Sequence, residues 1–92
     1  MQLYVVAYDI PSDKRRKKVS DLLEGYGQRV QYSVFECMLG PDQYRDLQRR
    51  LQARLDLTED QVRFYPLSAH TLSRVETWGG PELLTPPNSI VV

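Results

Sequence analysis

Leu3-Tyr4-Val5-Val6-Ala7-Tyr8-Asp9 is a run of six apolar or aromatic residues that ends in one carboxylate, and Ile10-Pro11-Ser12-Asp13 closes it. A short run, partly β-branched and bounded by a turn, reads as a strand buried on both faces and therefore central in its sheet. A carboxylate at the end of such a strand stands at the rim of the sheet, where ligand and metal sites gather. Five cations follow without interruption, Lys14, Arg15, Arg16, Lys17 and Lys18. An acid on a buried strand beside a cationic helix start is the chemistry of a phosphate-handling site.

Ninety-two residues make one small domain with a thin core, so association with a second copy would add stability. The twelve Lys and Arg balance the twelve Asp and Glu, which excludes a protein that binds nucleic acid by bulk positive charge. The cations are clustered, however, at 14–18 and again at Arg45, Arg49, Arg50 and Arg54, and local patches steer phosphates even on a neutral chain. One cysteine, Cys37, and one histidine, His70, exclude an intrachain disulfide and a Cys/His zinc site within one chain. The single cysteine suits a reducing compartment, and no signal peptide or membrane span is visible, so the expected location is cytoplasmic, with no membrane partner.

After strand one at 2–9, Ser12 reads as an N-cap with Asp13 in the first helical turn. Val19, Leu22, Leu23 and Tyr26 recur at i, i+3, i+4 and i+7, and Gly25 and Gly27 bracket the end, either able to take a left-handed C′ position. This predicts a helix over about 13–25. Its five cations crowd the N-terminal half, the unfavourable end of the macrodipole, at about a few tenths of a kcal/mol each and up to about 1. A solvated face explains Lys14, Lys17 and Lys18. Arg15 and Arg16 flank the apolar stripe and are expected nearest the sheet rim and Asp9. Residues 28–39 are β-prone, but Val30 and Tyr32 are apolar on one parity and Phe35, Cys37 and Leu39 on the other. A one-residue slip flips the face, so a turn or bulge near Tyr32–Val34 separates strand two (28–32) from strand three (34–39). Pro41 opens a second helix with a stripe of Tyr44, Leu47, Leu51 and Leu55, and Asp46 and Arg50 form an i, i+4 pair on its wet face. Leu57–Asp60 reads as a loop. Residues 61–67 form strand four, which Pro66 ends or confines to a sheet edge. Arg74–Trp78 is a short candidate strand. Gly79-Gly80-Pro81 turns the chain, Thr85-Pro86-Pro87 breaks it, and Ile90-Val91-Val92 is a last apolar patch.

The order β-α-β-β-α-β predicts an α+β, ferredoxin-like sandwich at 1–67, with both helices on one face of an antiparallel sheet, and a C-terminal tail at 68–92. Tyr4, Val6 and Tyr8 share one parity of strand one, and Leu3, Val5 and Ala7 share the other. Both are apolar, so the helix-free face also needs cover. A symmetric homodimer, sheet to sheet, supplies it economically.

The chain resembles the small, second protein of the CRISPR spacer-adaptation complex, the CRISPR-associated endoribonuclease family, over residues 2 to about 67. The motifs that carry the resemblance are Tyr8-Asp9-Ile10 after an apolar strand, Lys14-Arg15-Arg16-Lys17-Lys18-Val19, Leu23-Glu24-Gly25-Tyr26-Gly27, Arg29 through Cys37, and Asp60 through Leu67. The resemblance implies a ferredoxin-like homodimer whose tail strand, placed here at Arg74–Trp78, adds to the partner's sheet. It implies that the two Asp9 side chains face each other across the dimer axis and hold a divalent metal, usually Mg²⁺. It also implies a metal-dependent nuclease that forms the central dimer of an integration complex. There the larger adaptation protein supplies the integrase chemistry and the dimer holds duplex DNA. Arg16 sits where an arginine is common in the family. Lys18 replaces the arginine of some members, keeping the charge and losing the bidentate fork.

On this reading Asp9 is the catalytic and metal-binding residue. Tyr8, Lys14, Arg15, Arg16, Lys18, Arg29, Ser33 and Phe35 are the candidate nucleic-acid contacts. Two like carboxylates near an axis repel unless a cation lies between them, and Mg²⁺ suits such a site. The plainer readings are a turn role for Asp9 before Pro11 and for Ser33, a core role for Tyr8, Phe35 and Cys37, and none for His70. Two functions follow. One is a Mg²⁺-dependent endonuclease acting on single-stranded RNA and/or double-stranded DNA. The other is a non-catalytic dimeric DNA-binding scaffold of the spacer-integration complex. An RNA-binding module of the same fold would need an aromatic, glycine-rich signature that is absent.

Overall fold

The computed structural model describes residues 1–84; the expectations for Thr85-Pro86-Pro87 and Ile90–Val92 lie outside the described residues. The elements are β1 (Gln2–Asp9), α1 (Asp13–Glu24), β2 (Gln28–Gln31), β3 (Val34–Leu39), α2 (Pro41–Gln52), β4 (Gln61–Leu67) and a single turn α3 (Ala69–Leu72). The sheet order is β2-β3-β1-β4, antiparallel throughout, with β1 central as its two apolar faces demand. This is the β-α-β-β-α-β sandwich.

Local chemistry sets the element ends. The Ser12 hydroxyl accepts the Arg15 N–H at 3.2 Å, capping α1. The Gly40 N–H donates to Gln43 Oε1 at 2.9 Å at the start of α2, with Pro41 in its first turn. The phase change in the 28–39 run resolves into two features. A tight turn at Tyr32-Ser33 joins β2 to β3, and a register shift between Arg29 and Gln31 bulges β2. Pro66 stays within β4 because that strand is an edge. The expected left-handed glycine at the end of α1 is not there, since Gly25 has φ −78°. Gly27 serves close approach instead: a Cβ on it would lie 2.5 Å from Cys37 Sγ, 2.9 Å from Cys37 Cα, and against the Glu36 carbonyl.

The helix-side core gathers Val6, Tyr8, Ile10, Phe35, Cys37 and Leu39 of the sheet segment with Val19 and Leu23 of α1 and Leu47 and Leu51 of α2. Each wholly buried aliphatic side chain contributes about 1.5–3 kcal/mol. Tyr4 stacks on Tyr44 with ring centroids 3.9 Å apart, and Phe64 meets Tyr44 edge-on at 5.7 Å. Cys37 is buried, and burial pushes its thiol up to about 11, so it packs as a small apolar residue.

On the helix-free face Leu3 is buried, Val5 and Ala7 are half-buried, and Tyr65 and Arg63 are exposed. Part of this face is covered by the chain's own tail. Gln28 Nε2 donates to the Glu82 carbonyl at 3.4 Å, and the Leu84 backbone comes up beside the Glu36 carboxylate. The expected strand at Arg74–Trp78 is corrected: among the described residues no strand forms there. The Ser68 hydroxyl instead caps the α3 turn through the Thr71 N–H at 3.1 Å, and the following segment pairs with neither edge of this chain's sheet, β2 or β4. Trp78 is left 94% exposed. Among the described residues no helix is long and apolar enough to cross a membrane.

Candidate nucleic-acid and metal site

Alternation along β1 divides the candidate residues between the two sides of the sheet. Tyr8 packs into the helix-side core, so its neighbour Asp9 faces the other way, onto the helix-free side. Antiparallel register places Asp9 opposite Gln61 and Ala7 opposite Arg63. Together these residues line a shallow hollow of about 170 Å³. Asp9 is exposed, and among the described residues its carboxylate has no hydrogen-bond or ion-pair partner. No group of three or more His, Cys, Asp or Glu capable of holding a metal occurs among the described residues. Within one chain, therefore, a lone carboxylate does not fit a metal site.

The helix side holds the second half of the candidate set. Tyr8, Arg16 and Arg29 share a hollow of about 240 Å³ with Asp13, Lys17 and Tyr32. Arg16 donates to the Ile10 carbonyl at 2.8 Å and pairs with Asp13, which pins it to the rim of the sheet. Arg29 lies over the Phe35 ring at 5.0 Å and donates to the Tyr32 carbonyl. Burial pushes the Tyr8 phenol upward, and Arg29 and Arg16 partly offset it, so Tyr8 remains a neutral donor at pH 7. The hollow is a cationic, donor-rich cup suited to an anion.

The remaining candidates separate from this cup. Arg15 stands at the rim, but its partner is not Asp9. Its Nε donates to Asp60 at 2.8 Å, and one Nη reaches Glu59 at 2.8 Å. The Asp60 side chain is 0% exposed and also accepts the Asp56 N–H at 2.8 Å. Arg15 beside it holds its carboxyl below the usual range. Arg15 thus ties α1 to the loop before β4. Ser33 supplies its carbonyl to the Tyr8 N–H at 3.1 Å, a turn role. Phe35 is wholly buried and supports Arg29 from below. Lys14 is exposed, and Lys18 faces the groove between the helices. Sequence reading missed Asp60 because a Leu-Thr-Glu-Asp stretch has loop composition. It missed Gln61 and Arg63 as neighbours of Asp9 because that adjacency exists only in the β1–β4 register.

The class so defined is a β-α-β-β-α-β sandwich with a lone acid on its open face and a cationic cup behind it. Residues 1–75 match the family described as CRISPR associated protein Cas2. The chain belongs to that family. It is 61% identical, over the full length of both chains, to a Synechocystis sp. protein named CRISPR-associated endoribonuclease Cas2 3. Among solved structures it is similar to Streptococcus pyogenes Cas2, crystallised at pH 6.5, with TM-score 0.74 and 40% identity over 84% of this chain and 99% of that one. It is also similar to a chain of a partial Cas6-RT-Cas1–Cas2 complex, with TM-score 0.79 and 35% identity over all of both chains.

Proposed function

We propose that this protein is a dimeric, metal-dependent endonuclease of the CRISPR adaptation machinery, cutting phosphodiester bonds of single-stranded RNA and/or duplex DNA. The observation that carries the reading is Asp9, an exposed carboxylate without a partner among the described residues, at the end of the inner strand β1. The endoribonuclease name of the Synechocystis relative supports cleavage, and the Cas1–Cas2 complex containing a similar chain supports the larger adaptation protein as partner. Hard carboxylate oxygen donors favour Mg²⁺ once a second copy brings a second Asp9 to the same place. When bound, the ion would polarise a phosphoryl oxygen and acidify a water. The chain's own residues do the rest. Asp9 gives the negative charge, Tyr8 and Arg29 donate to phosphate oxygens, and Arg16, held by Ile10 and Asp13, fixes the edge of the cup. The half-buried Val5 and Ala7 and the exposed Tyr65 favour sheet-to-sheet pairing of two copies through the helix-free face. In that assembly residues 1–67 form the folded unit, and the tail that follows exchanges its contacts with Gln28 and Glu36 of its own chain for a place on the partner. The buried free Cys37 is compatible with a reducing, cytoplasmic setting.

The second reading, a non-catalytic DNA-holding scaffold, is favoured by the cations of the two helices. The discriminating experiment measures Mg²⁺-dependent cleavage of end-labelled single-stranded RNA and double-stranded DNA by wild type and Asp9→Ala, with duplex binding followed on the same samples. Cleavage is expected to need Mg²⁺ and to fall at least about 100-fold in Asp9→Ala with binding retained. Cleavage that survives Asp9→Ala overturns the nuclease assignment of that residue. Salt-sensitive binding without cleavage by either protein establishes the scaffold.

A further inference from the structure

The neutral net charge conceals a division. Residues 13–24 and 41–54, the two helices and the end of α2, hold nine of the twelve cations and five of the twelve acids, a surplus of four positive charges. The rest of the chain holds three cations and seven acids, a deficit of the same size. Between α1 and α2 lies an open groove of about 590 Å³, walled by Lys18, Asp21 and Tyr26 on one side and Arg50 and Arg54 on the other.

The acids at this groove are already compensated. Asp21 is held by Lys17 at 3.0 Å. Asp46, beneath the groove, accepts the Tyr26 hydroxyl at 2.6 Å and pairs with Arg50 at 3.2 Å and with Arg49, which keeps its carboxyl below the usual range. Lys18 is exposed and pairs with no carboxylate among the described residues. Arg54 donates to the Arg50 carbonyl at 3.0 Å, which leaves most of its fork free. Capping the negative end of the α2 dipole accounts for Arg50 and Arg54 on their own helix. It does not account for Lys18 facing them from the first half of α1, where a cation is unfavourable. Like charges converging on one groove repel unless an anion occupies it.

We propose that the groove between α1 and α2 is a binding track for the phosphodiester backbone of a nucleic acid, with Lys18, Arg50 and Arg54 as its contacts. The track lies on the helix side of the sheet, whereas Asp9 faces the opposite side. Two features favour a nucleic acid over an acidic peptide. Arg50 and Arg54 follow one another about one helical turn apart on one wall, with Lys18 across from them, a spaced set of charges that matches a repeating backbone. Those on α2 are all arginine, whose planar fork suits phosphate. The inference deepens the nucleic-acid reading above and does not depend on cleavage.

The test is duplex DNA binding by the full chain, titrated in NaCl, for wild type, Lys18→Gln/Arg54→Gln and Arg45→Ala. Circular dichroism confirms that each variant is folded. Arg45 pairs with Asp42 outside the groove and serves as control. The double variant is expected to bind about tenfold more weakly near 0.1 M salt, with a salt slope shallower by about two, while Arg45→Ala leaves both unchanged. An unchanged slope in the double variant overturns the track and leaves the nucleic-acid reading standing. Equal losses in Arg45→Ala also overturn it, by reducing the effect to bulk charge. Stronger competition by polyglutamate than by a DNA duplex assigns the groove to an acidic peptide. Absence of wild-type binding to any duplex or single strand defeats both readings together.

Discussion

Asp9 and Tyr8 are adjacent in sequence and lie on opposite faces of the sheet, which is the main physical fact about this site. A strand cannot aim neighbours at one ligand, so the acid and its cationic cup address different sides of whatever binds. Parity was readable from the sequence, and so was the rim position of Asp9. What the sequence could not show is where each arginine's fork is spent. Arg15 and Arg16 look equivalent in Lys14-Arg15-Arg16-Lys17-Lys18, yet one closes on the buried Asp60, forty-five positions away, and the other on the Ile10 carbonyl. At this scale Gly27 gives a sharp expectation. Gly27→Ala would force a Cβ into the Glu36 carbonyl and Cys37, so β2 must move off β3. Chemical denaturation is expected to show a loss of about 3 kcal/mol or more. A loss below about 1 kcal/mol would mean that the β2–β3 edge yields easily.

The elements were largely legible. Apolar periodicity gave α1, β3 and β4 within a residue or so, because each buries one face against the same core, and it gave the start of α2, whose expected stripe runs on to Leu55 although the helix ends at Gln52. The tail was not legible in this way. Its residues lack periodicity, and the strand expected at Arg74–Trp78 pairs with neither edge strand of this chain, β2 or β4. The tail instead brings Leu84 to Glu36, the one carboxylate of the sheet interior, whose Oε1 is buried without a hydrogen-bond partner among the described residues. Burial pushes Glu36 up from its ordinary value of 4.5, and the Leu84 backbone only partly offsets this. Its surroundings are Val5, Gln28 and the acidic tail residues Glu76 and Glu82, and among the described residues no cation stands by it to favour ionisation. The sign follows from linkage. Below about pH 4.5 the carboxyl is protonated whether the tail is docked or free, and docking is unopposed. As pH rises from there through the higher docked value, the free state ionises first and docking weakens. Amide exchange of residues 76–84, corrected for intrinsic rates, should therefore show protection that falls from pH 4.5 to pH 8 in wild type and stays level in Glu36→Gln. The same pH response in both proteins would contradict Glu36 as the cause.

At the scale of the molecule, the helix-side core is complete within one chain and the opposite face is not. Leu47→Ala, at the centre of that core, is expected to cost about 2–5 kcal/mol in denaturant unfolding. A cost under about 1 kcal/mol would contradict the packing described for α2. Among the described residues no group of three or more possible metal ligands forms, so the proposed metal site on the open face needs a second copy. The composition pointed to this incompleteness through two apolar parities on β1, but it could not show how two copies meet.

The most direct measurement co-refolds wild type and Asp9→Ala in varied ratios and follows Mg²⁺-dependent cleavage against the wild-type fraction. If Asp9 from both copies builds one site, activity falls as the square of that fraction, to about one quarter at an equal mixture under random pairing. A linear fall, to about one half, would contradict the shared site and return the chemistry to a single chain.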